Sequence, residues 1–170
     1  DALNIDQICY NYLNDENEEY QIAALTYFSL LPVPSLGGLL EDEDNVDLIW
    51  AIISDGFFVD STLKLKIASI KFLHKLLQCH NDHFLRCLLD SNVCEICELL
   101  LNLDDKEITL LCIDILMIVF NVSKNDEGLA QKFIDEYSQT DINSILADIS
   151  DCEIEIKAKE FIESITTFYK

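Results

Sequence analysis

The chain has 170 residues, half of them hydrophobic, with only four glycines and two prolines. This composition excludes an intrinsically disordered chain and favours helices. Its 32 acidic and 11 basic residues give a net charge of −21, and such a field repels nucleic acids and anionic membranes while it attracts basic partners. Seven cysteines, an odd number found mostly at apolar positions, fit the reduced thiols of a cytoplasmic or nuclear protein.

Hydrophobic periodicity predicts helices along the whole chain. In chain order they cover residues 3–13, 17–31, 46–54, 61–78, 81–90, 92–102, 105–123, 127–137, 140–149 and 152–168. The expected N-caps of three of them are Asn92, Asp104 and Asp151. The stretch 32–44 holds both prolines and half of the glycines, so we expect a loop or an irregular first helix there.

Internal repetition is the strongest signal in the sequence. When residues 4–31 are placed over residues 92–119, an offset of 88, six positions are identical and half of the others pair apolar residues. A small residue near the middle of a long helix marks each copy at spacings of 45, 43 and 46, namely Ala24, Ser69, Cys112 and Ala158. Armadillo and HEAT repeats have this length.

The sequence therefore predicts an all-α protein, a right-handed superhelix (an α–α solenoid) of armadillo/HEAT-like repeats. The repeats are expected at about 1–31 (partial), 32–79, 80–124 and 125–170 of a single solenoid. Because the chain opens inside a repeat, we expect a fragment of a longer protein.

The segment from Glu107 to Phe120 is apolar apart from one carboxylate near its middle, Asp114. In a stack of repeats the last helix of each repeat is sandwiched between neighbours, and only a narrow strip of it meets water. We expect Asp114 on that strip, on the concave face. The alternative is a capped or paired aspartate in the core, because an isolated buried carboxylate is costly.

Residues 61–170 resemble the armadillo repeats of the importin-α family. Residues 93–100 and 106–124 look like one such repeat. The end of the chain is similar to the family's terminal repeat, in which the Asp-Ile of a short helix is followed by an EI…KA…F…IE pattern. That pattern is matched here by Glu153-Ile154, Lys157-Ala158, Phe161 and Ile162-Glu163.

The resemblance implies a non-enzymatic adaptor that presents a concave groove to a peptide or protein, such as nuclear-import cargo or transport receptors. The family clamps basic nuclear-localisation peptides with a Trp and, four residues on, an Asn from the third helix of successive repeats. Carried over through the resemblance, the Trp positions are Thr26, Lys71, Asp114 and Glu160, and the Asn positions are Leu30, Lys75, Ile118 and Ser164. None of these positions holds the family's residue, and the single Trp50 lies in a different helix. An unrelated armadillo or HEAT scaffold of the cytosol is the alternative.

Three lysines add to the predicted partner-binding face. Lys64, Lys71 and Lys75 are spaced by seven and four residues, so they share one face of their helix. They could take an acidic segment, for example Glu41–Asp44 of the same chain, or they form a solvated helix face. Residues 1–63 hold 13 carboxylates and no Lys or Arg and could instead meet a basic partner, so the sequence leaves the partner's charge open.

Sites for chemistry are weak in this sequence. A zinc site is conceivable within a 19-residue span, formed by Cys79, His80, His83, Cys87, Cys94 and Cys97. Buried structural cysteine is the preferred interpretation, since Cys94 and Cys97 lie within a predicted helix, and a redox Cys94–Cys97 pair would need a turn beside a strand. No catalytic residue, cofactor or metal is predicted, and we expect a protein that is not an enzyme.

Overall fold

The computed structural model describes residues 5–13, 15–57 and 61–168, with the backbone alone in 5–8. Every regular element in these ranges is helical, which confirms the all-α prediction. None of the helices in the described ranges is both long and apolar enough to cross a membrane. The α-helices are α1 (Ile5–Leu13), α2 (Glu18–Leu30), α3 (Val33–Gly37), α4 (Glu43–Asp55), α5 (Leu63–Leu77), α6 (Asp82–Asp90), α7 (Val93–Leu101), α8 (Lys106–Ser123), α9 (Glu127–Tyr137), α10 (Ile142–Asp148) and α11 (Cys152–Phe168).

Four helices, α2, α5, α8 and α11, begin at regular intervals along the chain. We call them the long helices. Each follows a capping side chain that accepts a backbone N–H two or three residues on. These caps are Asn17, Thr62, Asp105 and Asp151. Their spacings of 45, 43 and 46 are the same as those of the small residues.

The small residue of each long helix lies seven positions after the cap and is buried. Relative exposures are 1% for Ala24, 0% for Ser69, 0% for Cys112 and 4% for Ala158. A larger side chain at these positions would have to displace a neighbour, because protein interiors are close-packed. The four small residues therefore occupy equivalent, buried positions in the four long helices.

Two of the three predicted N-caps need correction. Asp104 does not cap α8: it has a φ of +52°, and the next residue, Asp105, accepts the N–H of Ile108. Asn92 occupies the N-cap position of α7, but its side chain makes no cap hydrogen bond.

The stretch 32–44 forms an irregular first helix, as one of the two expectations had it. The short α3 is followed by a 3₁₀ turn at Gly38–Leu40, and α4 then begins at Glu43, three residues earlier than predicted. Asp42 accepts the N–H of Asp44 at 3.0 Å, and acidic side chains in a first turn are favoured by the helix dipole. The acidic run Glu41–Asp44 therefore contains the N-cap and the first turn of α4.

The chain divides into two compact units at Cys87–Leu88, within α6. In the N-terminal unit, α2 packs between α1 and α5, and α4 also contacts α5. Phe28 of α2 and Phe72 of α5 meet in its core with ring centroids 5.8 Å apart. The prediction of one continuous solenoid stays a prediction.

The C-terminal unit is arranged around α8, which packs against α7, α9 and α11. Phe120 of α8 lies 5.6 Å from Phe133 of α9, and Tyr137 of α9 lies 5.4 Å from Phe161 of α11, centroid to centroid. Aromatic pairs at such distances are favourable beyond the apolar area they bury. They hold three helices of this unit together.

Candidate functional site

The predicted partner-binding face follows one register through the four long helices. In each helix two positions lie nine and thirteen residues after the cap, one turn apart on the same side. We call these eight residues the ladder positions: Thr26 and Leu30 in α2, Lys71 and Lys75 in α5, Asp114 and Ile118 in α8, and Glu160 and Ser164 in α11.

The ladder positions of the N-terminal unit are an exposed threonine, Thr26, a leucine and two lysines. Leu30 is 79% exposed, more than any other large hydrophobic side chain of the described residues. Lys71 and Lys75 are half-buried, while Lys64, two turns before Lys71 on the same face, is exposed. Since α2 packs against α5, an exposed leucine and three lysines lie on neighbouring helices.

Asp114, in the C-terminal unit, is half-buried and paired. Both of its carboxylate oxygens accept hydrogen bonds from Lys157 Nζ of α11, each at 2.7 Å. No residue of α8 between Ile108 and Phe120 is exposed, so a counter-charge is needed to offset the loss of hydration. Asp114 is therefore paired, as the alternative of the sequence analysis had it, but it does not lie in the core, because its side chain keeps 35% exposure.

Glu160 and Ser164 line a groove of about 540 Å³ between the C-terminal halves of α8 and α11. Asn121 of α8, Lys124 directly after this helix and Glu163 line it as well. These groups include donors, acceptors and both signs of charge. The rings of Phe120 and Phe168 also belong to the lining, so the groove offers apolar contacts beside its polar groups.

The chain has no match among known proteins that would assign its family. Comparison with protein-family models, with curated proteins and with solved structures gave no match. The ladder positions also hold none of the Trp and Asn residues with which the importin-α family clamps peptides. Binding at these positions would depend on charge, on the exposed Leu30 and on the groove between α8 and α11.

A second concavity of the C-terminal unit, about 320 Å³, is lined by Glu95, Glu98 and Glu136 among other polar side chains. Both carboxylate oxygens of Glu136 are buried, and no donor within the described ranges reaches them with full hydrogen-bond geometry. Burial raises the pKa of Glu136; the facing backbone N–H and thiol of Cys94 and the Lys132 ammonium offset only part of this effect. The sequence analysis missed this residue, because a half-buried carboxylate within an amphipathic helix has no local signature.

The three buried cysteines of the C-terminal unit are core residues. Cys94, Cys97 and Cys112 are at most 1% exposed. A hydrogen bond with Cys112, together with burial, raises the pKa of Cys97, and burial raises the pKa of Cys94. Reactive and metal-binding thiols need a lowered pKa, so these properties favour structural cysteine over the redox pair.

Two of the six residues considered as zinc ligands come together in the N-terminal unit, beside a carboxylate that the sequence analysis missed. Asp47 Oδ1 of α4 lies 3.2 Å from His83 Nε2 and 3.4 Å from Cys87 Sγ, both of α6. The thiol of Cys79 is directed instead at the carbonyl of Val33, 3.8 Å away. Asp47 is 36 and 40 residues from its two neighbours, so no short motif marks the cluster.

Proposed function

We propose that this chain is a non-enzymatic protein–protein interaction scaffold, an α–α solenoid of armadillo-type repeats wound as a right-handed superhelix. One repeated contact carries the proposal. In the N-terminal unit, the cap of α5, Thr62, donates its hydroxyl to Glu18, the first residue of α2. In the C-terminal unit, the cap of α11, Asp151, accepts from Lys106, the first residue of α8, at 2.9 Å.

These two contacts join equivalent positions, 44 and 45 residues apart in the sequence. Contacts between residues one repeat apart are what the stacking of successive repeats produces. Proteins built in this way bind partners along an extended surface. The ladder positions, at a fixed offset from the caps, are the part of that surface that we propose as the binding face.

The charge of the molecule favours a basic partner. The net charge is −21, and the ladder positions of the C-terminal unit include the exposed Glu160, whereas the charge of Asp114 is already paired with Lys157. The specific proposal is an importin-α-like adaptor of the cytoplasm or nucleus, whose partner is nuclear-import cargo with a basic peptide or a transport receptor. The alternative, an unrelated armadillo or HEAT scaffold, is favoured by the lysine face of Lys64, Lys71 and Lys75, which would attract an acidic segment.

Fluorescence anisotropy with labelled peptides tests the proposal. A basic nuclear-localisation peptide and an acidic peptide of equal length are titrated with the full chain at low and at physiological salt. We expect saturable binding of the basic peptide that persists at physiological salt. Binding that disappears with salt would reflect only the net charge of the chain, and binding of the acidic peptide alone would favour the alternative scaffold.

Charge-reversal variants distinguish binding at Glu160 from binding at the lysine face. Glu160→Lys should weaken binding of the basic peptide about two- to fivefold, because an exposed ion pair contributes about 0.5–1 kcal/mol. Lys71→Glu with Lys75→Glu should leave the basic peptide bound and weaken only the acidic one. Arg86→Glu with Lys132→Glu, a matched double reversal at positions that neither belong to the ladder nor line its groove, serves as the control for net charge.

A further inference from the structure

We propose that Asp47, His83 and Cys87 form a Zn²⁺ site with one coordination position left open. The three donor atoms, Asp47 Oδ1, His83 Nε2 and Cys87 Sγ, all lie within 4.8 Å of one another. All three residues belong to the N-terminal unit, Asp47 on α4 and the other two on α6. The site is independent of the ladder positions and of the peptide that we propose for them.

The distances are close to those of a tetrahedral zinc site. Zn–O and Zn–N bonds of about 2.1 Å and Zn–S bonds of about 2.3 Å at tetrahedral angles place the donor atoms about 3.4–3.6 Å apart. The observed separations from Asp47 Oδ1 are 3.2 Å to His83 Nε2 and 3.4 Å to Cys87 Sγ. The third separation, between His83 Nε2 and Cys87 Sγ, is at most 4.8 Å, so metal binding would have to bring these two atoms closer together by rotation of their side chains.

The two helices hold this geometry by contacts that do not involve the donors. Trp50, one turn after Asp47, packs edge to face on Phe84 with ring centroids 6.2 Å apart, and both rings are buried. Asn81 accepts the N–H of Phe84 at 2.8 Å and donates to the carbonyl of Leu40 at 2.9 Å, so it ties the start of α6 to the segment before α4. A site supported in this way is organised before the metal arrives.

The spacing along α6 is suited to chelation. Residues four apart on a helix lie one above the other on the same face, and this brings the imidazole of His83 and the thiol of Cys87 to the same carboxylate. The third ligand, Asp47 of α4, then connects the metal to a second helix. Three protein ligands with an exchangeable water are the composition of zinc sites that keep an open position.

The chemistry of the donors suits zinc and excludes the abundant cellular ions Ca²⁺ and Mg²⁺. Thiolate and imidazole are poor ligands for Ca²⁺ and Mg²⁺, which prefer oxygen donors. The net charge of the first 63 residues, which include Asp47, favours a cation, since they hold 13 carboxylates and no Lys or Arg. With side-chain exposures of 64% for Asp47 and 35% for His83, the metal would reach the site from solvent and keep its fourth position wet.

Metal binding involves proton transfer but no redox step. The Cys87 thiol loses its proton to solvent when the Zn–S bond forms, and the neutral imidazole carries its proton on Nδ1 so that Nε2 can bind. The carboxylate exchanges contacts with the two side chains for a bond to zinc. Affinity should therefore fall as the pH is lowered, because protons compete for the imidazole and the thiolate.

Cobalt and zinc titrations of the reduced, chelator-treated full chain test the site. We expect one Co²⁺ per chain with a sulfur-to-cobalt charge-transfer band, and its displacement by one Zn²⁺. Cys87→Ser should abolish the band. Asp47→Asn or His83→Gln should weaken Zn²⁺ binding by at least ~10-fold, because even the loss of a residue that only hydrogen-bonds a metal ligand has an effect of that size. Cys152→Ser, at an exposed cysteine, and Asp44→Asn, one turn before Asp47, are matched controls that should bind like the parent chain.

Alkylation followed by peptide mass spectrometry gives a second readout. Zn²⁺ should slow the alkylation of Cys87 and leave that of Cys152 unchanged. Circular dichroism of each variant shows that lost binding is not lost folding, and Asp47→Asn, at a largely exposed side chain, preserves the core. A charge-transfer band that survives Cys87→Ser, or Zn²⁺ affinity unchanged in Asp47→Asn and His83→Gln, would overturn the proposal.

Discussion

Glu136 combines an ionisable group with burial in an unfavourable way. Its two oxygens are buried without a full hydrogen bond from the described part of the chain, and burial raises its pKa. A carboxyl with a raised pKa is held protonated more firmly by the native state than by the unfolded chain. It therefore contributes stability at low pH that is lost as the pH rises through the native pKa.

We predict that Glu136→Gln raises the free energy of unfolding at pH 7 and changes it little near pH 4, about where an unfolded glutamate titrates. The amide keeps the shape of the side chain and removes the charge whose hydration is lost. Urea denaturation at the two pH values measures the difference.

Glu127→Gln is the matched control, because Glu127 is an exposed carboxylate in the first turn of the same helix. The helix dipole favours that charge, so its neutralisation should bring no gain at pH 7. An equal gain for Glu136→Gln at both pH values would show that its ionisation is not what costs stability.

Single residues also show where sequence reasoning reaches its limit. The burial of Cys112 followed from a periodicity that repeats four times along the chain. The Lys157 partner of Asp114 lies 43 residues away, close to one repeat, so the register could have suggested it. Asp47 could not be found in this way, since its distance to His83 of 36 residues fits neither a helical turn nor the repeat.

Between elements, the end of α4 approaches α5 more closely than a side chain allows. A Cβ added to Gly56 would lie 2.1 Å from Ser69 Oγ and 3.0 Å from Ser69 Cβ. Gly56 has ordinary right-handed backbone angles, so space rather than conformation requires glycine there. Ser69 is the small residue of α5, fully buried, and its hydroxyl has no partner among the described residues.

We predict that Gly56→Ala destabilises the protein by about 1–3 kcal/mol, the usual cost of overpacking a core. Ser69→Ala removes both the obstructing oxygen and an unsatisfied hydroxyl, so alone it should be neutral or stabilising. In combination it should recover part of the loss. A double-mutant cycle from urea denaturation measures that coupling.

Gly37→Ala is the control for this pair, because a Cβ at Gly37 meets nothing within 4 Å. Helix propensity alone then favours alanine there. If Gly56→Ala were as well tolerated as Gly37→Ala, the close approach of α4 to α5 would be wrong.

Helix boundaries were predictable because the signals that set them are local. The bounds of α9 and α11 agree with the predicted ones, and those of α5 and α8 lie within two residues. The largest error, at α4, arose because an acidic run was interpreted as a loop, whereas Asp42 caps the helix and the next two acidic residues form its first turn. The adjacent Asp104 and Asp105 could not be told apart, since only the backbone turn decides which of two aspartates faces the helix.

For the whole molecule, the net charge of −21 opposes folding, because a compact state brings the carboxylates closer together than the unfolded chain does. Added salt screens this repulsion over distances beyond about 8–10 Å. We predict that raising NaCl from low to physiological concentration increases stability, with a rise in Tm of a few degrees. For a chain of this length about 1 kcal/mol corresponds to roughly 2–4 °C.

The measurement is thermal unfolding followed by circular dichroism at a series of NaCl concentrations, with urea rather than guanidinium as the parallel denaturant because guanidinium is itself a salt. The matched variant is Asp55→Lys with Asp148→Lys, at exposed C-terminal ends of α4 and α10. This variant has a less negative net charge, and its new cations lie where the helix dipole favours them. It should therefore be more stable than the parent at low salt, and its Tm should respond less to NaCl. A parent whose Tm falls as NaCl is added would show that attractive ion pairs, such as Lys157–Asp114 and Lys106–Asp151, outweigh the repulsion among its carboxylates.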